Sequence, residues 1–301
     1  MSFELQVDED LPRGIRRIAK SEIETVRESV GGSSEDSRDV RVHEARKSLK
    51  KLRALVRLVR PAVSGKAYRR ENLAFRDAAK PLTEVRDAQV LIDTLDKVVR
   101  ARSRGSGRRS FTGVRGELVR HRREVSDKVL DEEEAFTRVD SAMHDALGRL
   151  DDWADVHDGW SSVGEGVQRV YRRGQLALAA ASRQPTVEHF HEWRKQVKYL
   201  RHQLELLQPM KPAVLRPLTE KAERLGDLLG DDHDLAMLRR ELAGDPERFG
   251  GAHVIESLLE RIDRGRQSLE RQAVLLGRQI FRGTPGDFTR QLRGYWKAWG
   301  A

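Results

Sequence analysis

One twenty-residue segment occurs twice in this chain, 148 residues apart: VHEARKSLKKLRALVRLVRP from Val42 to Pro61 and FHEWRKQVKYLRHQLELLQP from Phe190 to Pro209. Nine aligned positions are identical: His43/His191, Glu44/Glu192, Arg46/Arg194, Lys47/Lys195, Lys50/Lys198, Leu52/Leu200, Arg53/Arg201, Leu58/Leu206 and Pro61/Pro209. A repeat that keeps mainly its leucines reports a shared core, whereas this one keeps its cations and reports a shared task. At 100° per residue, His43, Arg46, Lys47, Lys50, Arg53 and Arg57 fall within an arc of about 120°, opposite Leu49, Leu52, Leu55, Val56 and Val59. The second copy sets His191, Arg194, Lys195, Lys198, Arg201 and His202 opposite Trp193, Val197, Leu200, Leu204 and Leu207. Each segment therefore predicts an amphipathic helix with a basic stripe.

Like charges three, four and seven residues apart on a helix repel one another. A stripe of them implies a polyanion. From His43 to Arg57 the stripe is roughly 21 Å long at 1.5 Å per residue, too long for a single phosphate or carboxylate and suited to an extended anionic chain. The whole-chain charge agrees in sign, with 57 Lys+Arg against 48 Asp+Glu and a net charge of +9. That balance favours acidic partners without choosing among nucleic acid, anionic lipid and polyphosphate.

Helical periodicity runs through most of the sequence, with no sustained strand alternation. The breaks predict four helices at about 9–30, 37–60, 67–99 and 111–150, then four more at about 161–183, 186–208, 212–243 and 250–282. Gly31-Gly32-Ser33-Ser34, Pro61 with Gly65, and the segment 101–110 punctuate the first half. Pro185, Pro209 with Pro212, Asp245-Pro246 and Gly250-Gly251 punctuate the second, and a tail with Tyr295, Trp296 and Trp299 is expected to dock on the core. Arg100, Arg102, Arg104, Arg108 and Arg109 read as a connector with nonspecific grip on an anion.

The repeat extends past the stripe. Gly14-Ile15-Arg16-Arg17-Ile18 resembles Gly166-Val167-Gln168-Arg169-Val170 at an offset of 152, and Arg86-Asp87-Ala88-Gln89-Val90 resembles Asp231-Asp232-His233-Asp234-Leu235 at 145. In that register the second copy of this motif carries no cation. A period near 148 is far longer than the 20–50 residues of solenoid repeats. The expected fold is all-α: two antiparallel four-helix bundles related by internal duplication and pseudo-twofold symmetry, over residues 1–155 and 156–301.

With no cysteine in 301 residues, a reducing compartment is the simplest reading. No apolar run approaches the roughly 20 residues a membrane helix requires, and the first residues lack the pattern of a secretory leader. A cytoplasmic protein without membrane association is expected. His43-Glu44-Ala45-Arg46-Lys47 and His191-Glu192-Trp193-Arg194-Lys195 resemble H-E-x-x-H, but the second ligand position holds lysine, which would repel a metal. No zinc site is expected. A histidine flanked by Arg and Lys is expected to titrate low. No phosphate-binding glycine loop occurs, and no cofactor is expected. The carboxylates Glu84, Asp87, Asp231, Asp232 and Asp234 invite a two-metal phosphatase reading; helix capping or orientation of the stripe cations is the competing role.

The paired His-x-x-Arg-Lys helices, each followed by a second motif at Arg86-Asp87 and Asp231-Asp232, resemble the CHAD family, the conserved histidine α-helical domain, over nearly the full length. The resemblance implies two four-helix bundles with a basic central pore or surface that binds inorganic polyphosphate. Members occur alone or fused to CYTH triphosphate-tunnel enzymes, and some localise to polyphosphate granules. The CYTH start E-x-E-x-K is absent from Phe3-Glu4-Leu5-Gln6-Val7, so a stand-alone member is expected. Carried over residue by residue, the resemblance implies polyphosphate contacts from His43, Arg46, Lys47, Lys50, Arg53, His191, Arg194, Lys195, Lys198 and Arg201. Arg17, Lys20, Arg169 and Arg172, on the helix before each stripe, complete the candidate set. Polyphosphate binding without catalysis is the leading expectation. Nucleic-acid binding by the same faces is the alternative, with metal-dependent polyphosphate hydrolysis behind it.

Overall fold

The structure, a computed structural model, describes residues 3–31, 36–100, 111–153 and 157–300. The predicted break at Gly32-Ser33-Ser34, the arginine-bearing segment 101–110 and the boundary near residue 155 lie outside the described residues. The described chain forms α1 (Leu11–Val30), α2 (Arg38–Leu58), α3 (Gly65–Arg100), α4 (Thr112–Ser126), α5 (Ala135–Gly148), α6 (Gly164–Arg183), α7 (Val187–Leu207), α8 (Pro212–Gly244), α9 (Ala252–Ile280) and α10 (Pro285–Trp299). No strand occurs among the described residues.

The helices begin where short polar side chains can take up orphan backbone donors. Asp10 accepts from Arg13 N at 2.7 Å ahead of α1, Thr186 from His189 N at 3.2 Å ahead of α7, and Thr284 from Asp287 N at 3.1 Å ahead of α10. The stripe helices α2 and α7 end just short of Pro61 and Pro209, whose rings cannot continue a helix. One predicted helix breaks. The stretch at 111–150 becomes α4, a π-helical turn at Asp127–Glu132 and α5, with Glu134 in the left-handed region at φ 49°. No Gly or Pro marks that break. The tail is α10, held against α6 by Tyr171 stacked on Phe288 at 4.1 Å between ring centroids.

From α1 to α4 and from α6 to α9 each helix packs on the next, α5 returns to α1 and α10 to α6, and α2 packs on α7 and α3 on α8 across the halves. Close approaches set these crossings. A Cβ on Gly166 of α6 would lie 2.0 Å from the Leu58 carbonyl oxygen at the end of α2. One on Gly277 of α9 would lie 2.3 Å from the fully buried Trp193 ring on α7.

The apolar interior does not divide at the sequence midpoint. A large cluster joins Ile15, Leu52, Phe75 and Leu82 of the first half to Trp193, Leu204, Leu225 and Leu229 of the second. A smaller one joins Leu91, Leu95 and Leu118 to Leu238, Leu242, Leu258 and Ile262. The long helices α3 and α8 run through both. Between Val85 and Leu91 on α3, and between Leu229 and Leu235 on α8, each passes from one cluster to the other. Arg86-Asp87 and His233-Asp234 fall in those two gaps, which is where the cleft opens.

A candidate polyanion cleft

A cleft of about 1000 Å³ lies between α2, α3, α7 and α8. Ten Lys and Arg side chains line it against five Asp and Glu, with four histidines and no Phe, Tyr or Trp. Eight of the candidate residues reach it: His43, Arg46, Lys47 and Lys50 from α2, and His191, Arg194, Lys198 and Arg201 from α7. Because α2 and α7 pack on each other, stripes far apart in sequence become facing walls.

The innermost cations are poorly compensated. Arg46 Nη2 stands 3.9 Å from Asp87 Oδ1, while Lys50, Arg194 and Lys198 form no ion pair among the described residues. Burial, aided by Lys198, Arg46 and Arg194, pushes the Lys50 ammonium down to about 6. Burial and Arg194 push Lys198 down to about 7. Arg194 is lowered by burial, with Asp234 and Asp87 opposing, and its Nε is buried without a partner. The facing carboxyls of Asp87 and Asp234 are raised by burial despite the cations beside them. Desolvation thus works against every charge here, and an entering anion would relieve the cations.

Three of the histidines sit beside these cations. Burial, then Arg86, lowers His43; burial, then Lys195, lowers His191. His233 is driven to about 3, chiefly by burial and Arg194. His191 Nδ1 and His233 Nδ1 lie 3.3 Å apart, so one neutral ring donates to the other. In both H-E-x-x-K pentads the lysine pairs with the glutamate, Lys47 with Glu44 at 3.0 Å and Lys195 with Glu192.

This geometry corrects the register of the second motif. Asp87 and Asp234 face the same cations, and Arg86 stands to His43 as His233 stands to His191. The true offset is 147, equal to that between the helix starts Gly65 and Pro212. Matching the Asp-Asp doublet by identity misplaced the copy by two residues, and His233 holds the position read as lacking a basic side chain.

Six candidates lie outside the cleft lining. Arg17 clamps the N-terminal segment, its Nε on Glu9 Oε2 at 2.8 Å and its Nη2 on the Glu4 carbonyl at 2.9 Å. Lys20 pairs loosely with Glu24 at 3.8 Å, Arg169 pairs with Glu165 one turn back, and Arg172 is exposed. Lys195 stays with Glu192 at the surface, and Arg53 turns its guanidinium toward the Tyr199 ring at 5.9 Å. His202, placed on the basic stripe from its spacing, lines the cleft as a buried side chain, with Phe3 packed edge-on against it at 6.0 Å. The α1 and α6 helices pack behind the stripe helices, so their cations face away.

The acidic run fans apart, as successive helical side chains must. Asp231 pairs with Lys97 at 3.1 Å, Asp232 is buried against Arg266 Nε at 3.0 Å, and only His233 and Asp234 enter the cleft. Glu84 is exposed outside it. No group of three or more candidate metal ligands occurs among the described residues. Sequence reasoning missed Arg239, Arg240 and Arg266. Arg240 is one helical step of seven beyond His233, a signal that was legible. Arg266 comes from α9, where nothing in the repeat points to it.

A family model for the CHAD domain matches residues 17–243. The chain belongs to the CHAD family. A CHAD domain crystal structure from the plant Ricinus communis superposes with a TM-score of 0.53 at 18% identity, covering 98% of this chain and 93% of that one. At that identity the likeness speaks for the fold alone. No curated protein matches the sequence. The match spans both stripes and both long helices, so all four walls of the cleft belong to the CHAD region. No helix is long and apolar enough to cross a membrane among the described residues.

Proposed function

We propose that this cleft binds inorganic polyphosphate without catalysing its breakdown. The observation that carries the reading is the meeting of Arg46, Lys50, Arg194 and Lys198, from two helices, with a single loose ion pair among them at 3.9 Å. Like charges held together out of water are costly unless an anion joins them. Membership of the CHAD family, associated with polyphosphate in general, supports the same ligand. Arginine supplies a planar fork for two oxygens and lysine a point charge, a combination suited to successive phosphates. The lining has no Phe, Tyr or Trp ring on which bases could stack, which sets nucleic acid behind polyphosphate.

The proposal includes the origin of the walls: an internal duplication of a four-helix unit, supported by offsets of 148 for the stripes and 147 for the second motif. It also includes a cytoplasmic role at polyphosphate granules, tested by co-localisation of a tagged chain with polyphosphate stain. The decisive experiment is calorimetric titration with long-chain polyphosphate at two salt concentrations. Binding that weakens steeply with salt is expected, as condensed counterions are released. Absence of binding at low salt would overturn the reading. Phosphate release with Mg²⁺ or Mn²⁺ would overturn its non-catalytic part.

A further inference from the structure

The basic stripe of α2 does not end with the cleft. One turn beyond Lys50 it carries Arg53 and Arg57, and neither lines the cleft. The Arg57 guanidinium lies on the Tyr199 ring at 4.1 Å, and Arg53 approaches the same ring at 5.9 Å. Arg57 Nη1 donates to the Arg53 carbonyl at 3.1 Å and to Asn72 Oδ1 of α3 at 2.5 Å. Arg60 covers the Tyr68 ring, one turn before Asn72, at 4.7 Å. Arg173 of α6 adds a further positive charge within electrostatic reach of the Arg57 guanidinium, whose affinity for its proton is lowered chiefly by burial.

Arg53 and Arg57 come from α2, Arg60 from the turn after it and Arg173 from α6, and among the described residues none of them forms an ion pair with a carboxylate. Elsewhere on the surface arginines meet carboxylates, as Arg38 with Asp131 and Arg239 with Asp263. The Tyr199 ring, a carbonyl and an amide oxygen fix the Arg57 fork but leave the charge uncancelled. The buried Nε of Arg53 has no acceptor. A fixed fork without a counter-charge, flanked by further guanidiniums, is the arrangement that recognises a phosphoryl group bidentately.

We propose that Arg53, Arg57, Arg60 and Arg173 form a second, separate phosphoryl-binding site, with Tyr199 and Tyr68 as its floor. The second stripe offers nothing equivalent, because the position of Arg57 is Glu205 in the other copy. The site therefore occurs once in the molecule, built from α2 and the turn after it in the first half and from α6 and α7 in the second. Its ligand is a terminal phosphoryl group, either free phosphate or the end of a longer phosphate chain. The inference does not rest on the polyphosphate reading of the cleft.

The test separates the two sites. In a Lys50→Met, Lys198→Met protein, whose cleft is stripped of its central ammoniums, tripolyphosphate should still bind with a stoichiometry of one by calorimetry at low salt. Adding Arg57→Gln should weaken that binding by at least about tenfold, the scale of one charge-assisted fork, while Arg57→Lys weakens it less. Should Arg57→Gln fold poorly, Arg60→Gln with Arg173→Gln, both nearer the surface, should give the same loss. Binding of orthophosphate as well assigns the site to free phosphate; binding of tripolyphosphate alone assigns it to chain ends. Absence of tripolyphosphate binding to the cleft-stripped protein, or affinity unchanged by both sets of arginine substitutions, would overturn the proposal. If instead the wild-type cleft fails to bind long chains while this site persists, only the cleft reading falls.

Discussion

Polyphosphate binding to the cleft should draw protons from solution. In the empty cleft Lys50 titrates at about 6 and Lys198 at about 7. At pH 8 the ammonium form is then about 1% of Lys50 and about 10% of Lys198, rising at pH 6 to about half and about 90%. An anion between them raises both values back toward that of a free lysine. For a base whose value rises on binding, affinity is greatest below the free-state value and falls as pH rises toward the bound-state one. Lowering pH from 8 to 6 therefore strengthens binding about 50-fold through Lys50 and about 10-fold through Lys198, or about 2 kcal/mol and 1 kcal/mol. The two ammoniums repel each other, so a combined gain of about 100-fold is expected. At pH 7 between one and two protons should enter per site. Calorimetry with long chains in two buffers of different ionisation enthalpy reads that number from the slope of the heat. A zero slope with equal affinity at pH 6 and pH 8 would refute the reasoning. So would a pH dependence that survives in the Lys50→Met, Lys198→Met protein.

Three further outcomes follow from the same contacts. Lys50→Met should stabilise the unliganded protein by about 1–3 kcal/mol in urea unfolding at pH 7, since it removes an amine that folding must bury and strip of its proton without a partner, while long-chain affinity falls at least about tenfold; a destabilised variant would contradict the burial argument. Arg17→Ala should cost about 1–3 kcal/mol of stability through its lost bonds to Glu9 and the Glu4 carbonyl, yet leave polyphosphate affinity unchanged, because Arg17 stands outside the cleft. Gly277→Ala should lower stability by about 1–3 kcal/mol by pressing a methyl on the Trp193 ring; thermal unfolding unchanged from wild type would show that α9 can move aside.

Much of the fold was legible because its signals are local. The period of Leu49, Leu52 and Leu55, the caps at Asp10 and Thr186, and the stops at Pro61 and Pro209 act within one or two turns. The π-turn at Asp127–Glu132 was not, since neither Gly nor Pro announces it and Glu134 takes a left-handed conformation that its type does not favour. The tail's Tyr295, Trp296 and Trp299 were correctly expected on the core, but not as a helix.

The amino-acid sequence alone determined that two helices would each carry a basic face opposite an apolar one, because spacing at 3.6 residues per turn sorts side chains without reference to any partner. It also determined the shared identity of His43 and His191, Lys50 and Lys198. Only the tertiary structure decided which cations work together. Packing α2 on α7 turns Lys50 and Lys198 into neighbours and drives both toward neutrality, while packing α1 and α6 behind them leaves Arg17 and Arg169 facing away. The pairing of Asp87 with Asp234, rather than with Asp232, was equally a tertiary outcome. Burial and the distance between charges set electrostatic energies, and both depend on contacts between residues more than a hundred positions apart.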